Sequence, residues 1–429
     1  MRPAPTGIDR VELAYARRWA NHPETCTYVA GNAWGGLAAV PHAGIDRLGL
    51  ALEEAWAAGP MASRALDRAR AEALRLHAML LTGAGRARLH QQARATQNGI
   101  YLLVSHQALE NPRRIAFLRS LGLAFVPLVH DVIPITHPEY TRPSQVAKHA
   151  RRIANTAALA DGIIVNSAAT AAALLDHLPR SGKHGRPLPP ISVARLGLVQ
   201  RPPVPQGGVP QGAPYFVALG SIEPRKNHTL LLNLWRDLAE AMGPAAPRLI
   251  IIGRRSFDSE SIMAALDRSP PLAALVQEAG AVADSQVTAL LTGARALLFP
   301  TFAEGFGLPL AEALALGTPA IVSDVAALRE VGGAVPEYLN PLDGLGWREA
   351  VLHYAQPQSP RRDAQLARLR GWQPPDWHQH FAVVDALLDQ LAAGRQPATR
   401  RLPWGAPVAL PPLAQPPLGA SLPLAPGAR

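Results

Sequence analysis

This sequence of 429 residues has little cysteine, no long apolar run and no acidic residue near its carboxyl end. Cys26 is the single cysteine, which excludes an internal disulfide framework and a zinc site built from cysteines. Nowhere do about 18 apolar residues run unbroken, as a spanning helix requires, and the first residues lack the order of a signal peptide. We therefore expect a soluble chain in a reducing, cytoplasmic setting.

Basic residues give the chain a net charge of +10. Part of this charge lies beyond Gly394, where Arg395, Arg400, Arg401 and Arg429 occur without an acidic residue. Other arginines are scattered along predicted helices such as "ALDRARAEALRLHAMLL", without the aromatic interleaving of nucleic-acid grooves. The charge therefore predicts phosphorylated small substrates or peripheral contact with anionic lipid, and no nucleic-acid partner.

Apolar runs of strand length alternate with helical segments along most of the chain. Examples are "LAFVPLVHD", "DGIIVNS", "YFVALGS" and "RLIIIG", each followed by a segment of helical period. Continuous apolar strands are typical of a parallel sheet covered on both faces. The sequence therefore predicts an α/β fold, in which the late amphipathic segment "WHQHFAVVDALLDQLAAG" closes the second domain.

A run rich in proline and glycine divides the chain. Residues 200–214, "QRPPVPQGGVPQGAP", predict a linker between a domain over 1–199 and a domain over 215–394, and the proline-rich residues 395–429 predict a disordered tail. A cleft is expected between two such domains, where the carboxyl ends of strands point. No strand precedes the first helix, so either the first domain lacks its first strand or the true start lies upstream of Met1.

The passage "ALLFPTFAEGFGLPLAEALALG" carries two carboxylates, Glu304 and Glu312, on either side of Gly305 and Gly307. Pro309 fits a first helical position, so free backbone N–H groups are expected before this helix, with Glu312 in its first turn. Carboxylates repel a phosphate, so we expect both to accept hydrogen bonds from sugar or ribose hydroxyls. The alternative is that Glu312 only complements the helix dipole, worth about 0.3–1 kcal/mol, and that Glu304 is a solvated loop residue.

Two further passages place charged side chains after strands. In "VALGSIEPRKNHTLLL", Arg225 and Lys226 suit a diphosphate and Asn227 suits an N-cap, although a solvated turn is the alternative. In "LAFVPLVHD", His130 and Asp131 end a strand, although such a pair also occurs as an ordinary loop pair. The sequence has neither H-E-x-x-H nor an Asp-x-Asp triplet, which favours an enzyme that needs no metal.

Together these passages resemble the family-four retaining glycosyltransferases of the GT-B fold, which has two Rossmann-like doubly wound parallel-sheet domains facing a cleft. The resemblance runs from Gly7 to about Leu391, and its firmest part is the E-x7-E signature of Glu304 and Glu312. "GSIEPRKNH" is similar to the phosphate loop of this family, "AVADSQVTALLTGA" to the segment facing the nucleotide base and "TGIDRVELAYAR" to the glycine loop.

The resemblance implies a role for each matching residue. The catalytic residues would be His130, Arg225, Lys226 and Glu304. The donor-binding residues would be Gly220, Arg225, Lys226, Asp284, Glu304, Gly305, Phe306, Gly307, Leu308 and Glu312, with the Arg-Lys pair on the diphosphate and Glu312 on the ribose. Gly7 and Arg10 would form the glycine loop toward the acceptor.

The resemblance also implies the reaction. A sugar would move, with retention of configuration and without a metal or other cofactor, from a nucleotide-diphosphate sugar to a saccharide or lipid-linked acceptor in exopolysaccharide, capsule or O-antigen synthesis. "SIEPRKNH" resembles mannosyltransferases, so GDP-mannose is the first candidate donor. The setting would be the cytoplasm, at the inner face of the membrane. The alternatives are another GT-B enzyme, such as a glucan synthase-like transferase, and a non-catalytic scaffold of the same fold.

Overall fold

The computed structural model describes residues 5–20, 22–31, 36–59, 63–81, 83–107, 109–178, 188–199, 212–256 and 259–394. The predicted linker lies outside these residues except for positions 212–214, and the predicted tail over 395–429 lies outside them entirely. The domain limits therefore stay predictions. The described residues up to 199 form the first half of the chain, and those from 212 onward form the second half.

The first half alternates helices with short strands. Its helices are α1 (Gly7–Arg18), α2 (His42–Ala58), α3 (Ser63–Met79), α4 (Ala84–Ala95), α5 (Pro112–Ser120), α6 (Ile133–Thr136), α7 (Pro143–Leu159) and α8 (Ala168–His177). Its strands are β1 (Tyr28–Gly31), β2 (Leu37–Val40), β3 (Ile100–Leu103), β4 (Ala124–Val129), β5 (Ile163–Val165) and β6 (Ile191–Val193). Side chains cap several helices; for example, Asn111 accepts from the backbone at the start of α5.

The second half repeats the same plan. Its strands are β7 (Tyr215–Leu219), β8 (Arg248–Ile252), β9 (Val276–Gly280), β10 (Leu297–Phe299), β11 (Ala320–Ser323) and β12 (Glu337–Leu339). Its helices are α9 (His228–Met242), α10 (Glu260–Arg268), α11 (Pro270–Leu275), α12 (Asp284–Gly293), α13 (Leu308–Ala315), α14 (Ala326–Gly332), α15 (Gly344–Ala355), α16 (Pro360–Leu369) and α17 (Trp377–Ala393).

Each half is built on a parallel sheet. Among the described residues, the order is β3-β4-β5-β6 in the first sheet and β12-β11-β10-β7-β8-β9 in the second. Every residue of β4 and β11 is buried, as expected for strands covered on both faces. The predicted α/β class of two Rossmann-like parallel-sheet domains is confirmed. In the second sheet the strand order reverses between β7 and β10, the place where such sheets bind ligands.

Two features differ from the expectations. Strands β1 and β2 form an antiparallel pair, with Tyr28 opposite Val40, that the sequence pattern did not predict. We predicted that α17 closes the second domain, but its contacts reach back to the first half. His380 of α17 contacts Tyr15 and the carbonyl of Ala194, so this helix joins the two halves.

Candidate active site in the cleft

A cavity of about 380 Å³ lies between the two halves, at the carboxyl ends of β4, β7, β8 and β10. Every residue predicted for the site lines it, and these come from five separate parts of the chain. They are Gly7, Arg10, His130, Gly220, Arg225, Lys226, Asp284, Glu304, Gly305, Phe306, Gly307, Leu308 and Glu312. The fold therefore brings together all the residues that the resemblance assigned, whereas their individual roles remain predictions.

Glu304 is the common partner of the two basic residues of the loop after β7. Its Oε1 accepts from Lys226 Nζ at 2.5 Å and from an Arg225 terminal nitrogen at 2.8 Å. The hydroxyl of Thr301 donates to the same oxygen at 3.0 Å. Glu304 is therefore not the solvated loop residue of the alternative interpretation, because its carboxylate is buried and holds both cations in place.

Burial and charge act in opposite directions on this group. Burial would raise the pKa of Glu304, but the charges of Lys226 and Arg225 outweigh it and hold that pKa below its ordinary value. Burial lowers the pKa of Lys226, and the carboxylate only partly opposes this effect. An ammonium has three donors and a guanidinium five, so both cations keep donors for an anionic ligand while they bind Glu304.

The glycines before α13 allow the two halves to approach each other closely. A Cβ on Gly305 would lie 2.4 Å from the carbonyl oxygen of His130, so no larger residue fits there without movement. Gly307 has φ 100 at the N-cap of α13. The N–H groups of Gly305, Phe306 and Gly307 donate to no other group within the described part of the chain, as predicted for a loop that offers donors.

His130 directly follows β4 and is 8% exposed. Its Nε2 lies 2.8 Å from the carbonyl oxygen of Val104. Since a carbonyl only accepts, Nε2 carries the proton and Nδ1 is left as an acceptor. Burial lowers the pKa of His130, which keeps the imidazole neutral at neutral pH. A neutral ring with one acceptor nitrogen suits contact with a sugar hydroxyl better than contact with a phosphate.

Arg10 of the first half and Asp284 of the second half form an ion pair. The two terminal nitrogens of Arg10 lie 2.5 Å and 3.1 Å from the two oxygens of Asp284. The resemblance placed Arg10 toward the acceptor and Asp284 near the nucleotide base. In the structure the two side chains meet at one wall of the cavity, where their pairing links α1 to α12. The two roles stay predictions.

Two details of the predicted loops need correction. Glu312 is the fifth residue of α13, so it lies in the second turn and not in the first. The dipole effect fades within the first turn, so complementing the dipole is a weak explanation of Glu312, and its role in ligand binding stays a prediction. Asn227 occupies the N-cap position of α9, but its side chain does not cap the helix. Its backbone is left-handed, with a φ of 56°, and its side chain donates to the carbonyl oxygen of Pro341.

Sequence reasoning missed several lining residues, of which Arg254 is the most informative. Arg254 follows β8, beside the loop after β7, and lines the cavity. Its neighbour Arg255 forms ion pairs with Asp267 and Glu278 outside the cavity. The signal was present in the "GRR" that follows the apolar run "RLIII" at the carboxyl end of a strand.

Within the described ranges, no group of three or more histidine, cysteine, aspartate or glutamate side chains could hold a metal ion. Among the described helices, none has the length and apolarity needed to cross a membrane.

Two facing Rossmann-like domains with a polar cleft between them define the GT-B class of proteins, and this chain has that fold. A family model described as Glycosyl transferases group 1 matches residues 203–334. The solved structure of an alpha,alpha-trehalose 6-phosphate synthase from Burkholderia multivorans is similar, with a TM-score of 0.54 and 15% identity over 77% of this chain and 78% of the other. At this identity the likeness concerns the fold alone.

Curated relatives match shorter parts of the chain. It is 27% identical over 242 residues to the serotype-specific mannosyltransferase WbdA of Escherichia coli, covering 53% of this chain and 29% of WbdA. It is 31% identical over 157 residues to the O-antigen chain mannosyltransferase B of Escherichia coli, covering 37% of this chain and 40% of that protein. The alignments thus span less than half the length of these two relatives.

Proposed function

We propose that this chain is a retaining glycosyltransferase that moves a sugar from a nucleotide-diphosphate sugar to a saccharide or lipid-linked acceptor during assembly of a bacterial polysaccharide such as O antigen. The observation that carries the proposal is the convergence of every predicted site residue on one cavity between the two halves. Mannose is the proposed sugar, with GDP-mannose as donor, because the relatives WbdA and O-antigen chain mannosyltransferase B are named for mannose transfer.

In the proposed reaction, the bond between the sugar and the diphosphate breaks and a bond to an acceptor oxygen forms on the same face. Arg225 and Lys226 stabilise the negative charge that grows on the departing diphosphate, and Glu304 keeps both cations oriented. The departing phosphate takes the proton of the acceptor hydroxyl. Backbone N–H groups of the loop before α13 and the Nδ1 of His130 orient the sugar hydroxyls, and Glu312 accepts from the ribose.

We propose that the donor binds in this cavity without a metal. We also propose that the protein works at the cytoplasmic face of a membrane. The net charge of +10 supports contact with anionic lipid, since each basic residue near such a surface contributes about 1 kcal/mol. If no metal is needed, sugar transfer should continue in excess EDTA. If the protein binds anionic lipid, the fraction of protein that sediments with vesicles should increase with their content of anionic lipid. Loss of transfer in EDTA, or sedimentation independent of lipid charge, would contradict them.

Thermal stability in the presence of nucleotide sugars tests the function directly. A ligand that binds only the folded state raises the melting temperature, and we expect GDP-mannose to do so more than UDP-glucose or the free sugars. Lys226→Ala should lose this shift and nearly all turnover, because a cation facing the diphosphate is removed. Lys148→Ala, which breaks an ion pair with Glu110 away from the cavity, is the matched control and should keep both. If no nucleotide sugar stabilises the wild-type protein, or if Lys226→Ala binds as the wild type does, the proposal is wrong.

A further inference from the structure

The start of α8 in the first half contacts two elements of the second half. The carboxylate of Glu330, on α14, accepts from the N–H of Ala168 at 2.8 Å and from the N–H of Ala169 at 2.6 Å. The first N–H groups of a helix have no partner within the helix, and a negative charge is favourable there. Glu330 therefore anchors the second half to the first turn of α8.

The same helix start holds the loop before α13. Ser167 Oγ donates to the carbonyl oxygen of Gly305 at 2.6 Å, and Thr170 Oγ1 donates to the same oxygen at 3.1 Å. Ser167 also accepts from the N–H of Thr170 at 2.9 Å, so one hydroxyl caps the helix and reaches the other half. Both side chains are almost fully buried, with exposures of 0% for Ser167 and 3% for Thr170.

These bonds fix the direction of one peptide group. In a planar trans peptide, the C=O of one residue and the N–H of the next point in opposite directions. When Ser167 and Thr170 hold the Gly305 carbonyl toward the first half, the N–H of Phe306 is turned the other way. Phe306 lines the cavity, and its N–H is one of those that donate to no other described group.

The residues at the start of α8 also hold His130. Asn166, which precedes Ser167, donates from Nδ2 to the carbonyl oxygen of His130 at 2.8 Å. The segment from Asn166 to Thr170 therefore supports His130 and the loop before α13, although Ser167, Thr170 and Glu330 are not among the cavity-lining residues. These three side chains can influence the site only through the groups that they hold.

We propose that Ser167, Thr170 and Glu330 are positioning residues that join the two halves and orient the Gly305–Phe306 peptide toward the donor sugar. This inference rests on the proposed glycosyl transfer. A donor N–H that is aimed before the substrate arrives costs no reorganisation during the reaction, and small misplacements of reacting groups reduce rates strongly. The expected effect of losing these contacts is therefore on turnover and not on nucleotide affinity.

The test compares Thr170→Val with Thr156→Val in the full chain. Both replacements remove a buried hydroxyl at nearly constant shape, but that of Thr156 has no hydrogen-bond partner in the described structure. We expect kcat to fall about tenfold or more in Thr170→Val, with KM and the Kd for GDP changed less than about twofold, and to stay near wild type in Thr156→Val. Thr170→Ser, which keeps the hydroxyl, should restore kcat.

Equal kcat in the two valine variants, or a Thr170→Ser variant as slow as Thr170→Val, would overturn the positioning role.

The contact between the two halves is tested by X-ray scattering of the double variant Ser167→Ala, Glu330→Gln, with Glu349→Gln, at an exposed position, as the control. We expect a larger radius of gyration only in the double variant. An unchanged radius of gyration would overturn the proposal that these residues join the two halves. If the wild-type protein transfers no sugar, the proposed function fails, whereas the scattering result still decides whether these residues join the halves.

Discussion

Arg254 differs from the other basic residues that line the cavity. Arg10 is paired with Asp284, and Arg225 and Lys226 share Glu304. Within the part of the chain that the structure describes, no carboxylate lies within ion-pair distance of Arg254. A half-buried arginine just beyond the carboxyl end of a strand is suited to an anionic or planar ligand. We therefore expect Arg254 to contact the nucleotide.

Replacing Arg254 with Gln should weaken GDP binding roughly 10- to 150-fold, since a hydrogen bond to a charged group contributes about 1.5–3 kcal/mol. Isothermal titration calorimetry gives the Kd, and the loss should shrink at high salt if the contact is mainly ionic. Arg255→Gln is the neighbouring control, because its ion pairs to Asp267 and Glu278 lie outside the cavity. If both variants bind GDP as the wild type does, Arg254 has no part in nucleotide binding.

At the scale of elements, the ends of β7 and β8 approach so closely that only glycine fits. A Cβ on Gly253, directly after β8, would lie 1.8 Å from the carbonyl oxygen of Gly220, directly after β7. The N–H of Gly220 donates to the carbonyl of Ile252 at 2.9 Å, which keeps the two strand ends in contact. Both glycines line the cavity, so this contact also shapes the candidate site.

Gly253→Ala should therefore destabilise the protein by about 1–3 kcal/mol, the usual cost of inserting a methyl group where no space exists. The free energy of unfolding from urea denaturation measures this cost. Gly371→Ala is the control, because a Cβ there would meet no atom within 4 Å, and we expect its stability to stay close to wild type. A Gly253→Ala variant as stable as Gly371→Ala would show that the strand ends separate at little cost.

Elements such as β4 and β7 could be predicted because both faces are buried, which leaves a continuous apolar run in the sequence. The pair of β1 and β2 was missed because four residues such as "YVAG" and "LAAV" carry no clear period. The packing of α17 was also missed, since an amphipathic pattern shows that a face is buried but not which half covers it. A local sequence pattern therefore predicts that a helix or strand forms, but not which element packs against it.

The candidate site divides in the same way. Residues with chemistry at strand ends, such as Arg225 and Glu304, could be found because their local motifs are informative. The pairing of these two residues could not be predicted from the sequence. The same holds for the contact of Arg10 with Asp284, which are 274 positions apart, and for the contact of Ser167 with Gly305, which are 138 positions apart. Such contacts depend on how the two halves meet, and no short stretch of sequence encodes that arrangement.

At the scale of the whole molecule, α17 binds the first half through His380. Its Nε2 lies 2.7 Å from the hydroxyl of Tyr15, and its Nδ1 lies 3.1 Å from the carbonyl of Ala194. The carbonyl requires a proton on Nδ1, so Nε2 accepts from Tyr15 in the neutral ring. Burial lowers the pKa of His380 to about 4, and it lowers the pKa of His228, on α9, to about 4 as well. Protonation of either ring therefore opposes folding.

Stability should consequently fall as the pH falls from about 6.5 toward 4. In this window the unfolded chain takes up protons near the ordinary histidine pKa of about 6.5, whereas the folded chain does so only near 4. Each such histidine contributes up to roughly 1.4 kcal/mol per pH unit. Urea midpoints at pH 7.5, 6 and 5 measure the slope, above the range in which most carboxylates titrate.

His380→Gln should be less stable than wild type at pH 7.5 but lose less stability between pH 7.5 and 5, because one buried group no longer titrates. Gln keeps an amide donor for the carbonyl of Ala194, so the variant is expected to fold. His353→Gln, at an exposed position on α15, should retain the wild-type slope. If His380→Gln and His353→Gln show the same slope, the contact between α17 and the first half does not make the molecule sensitive to acid.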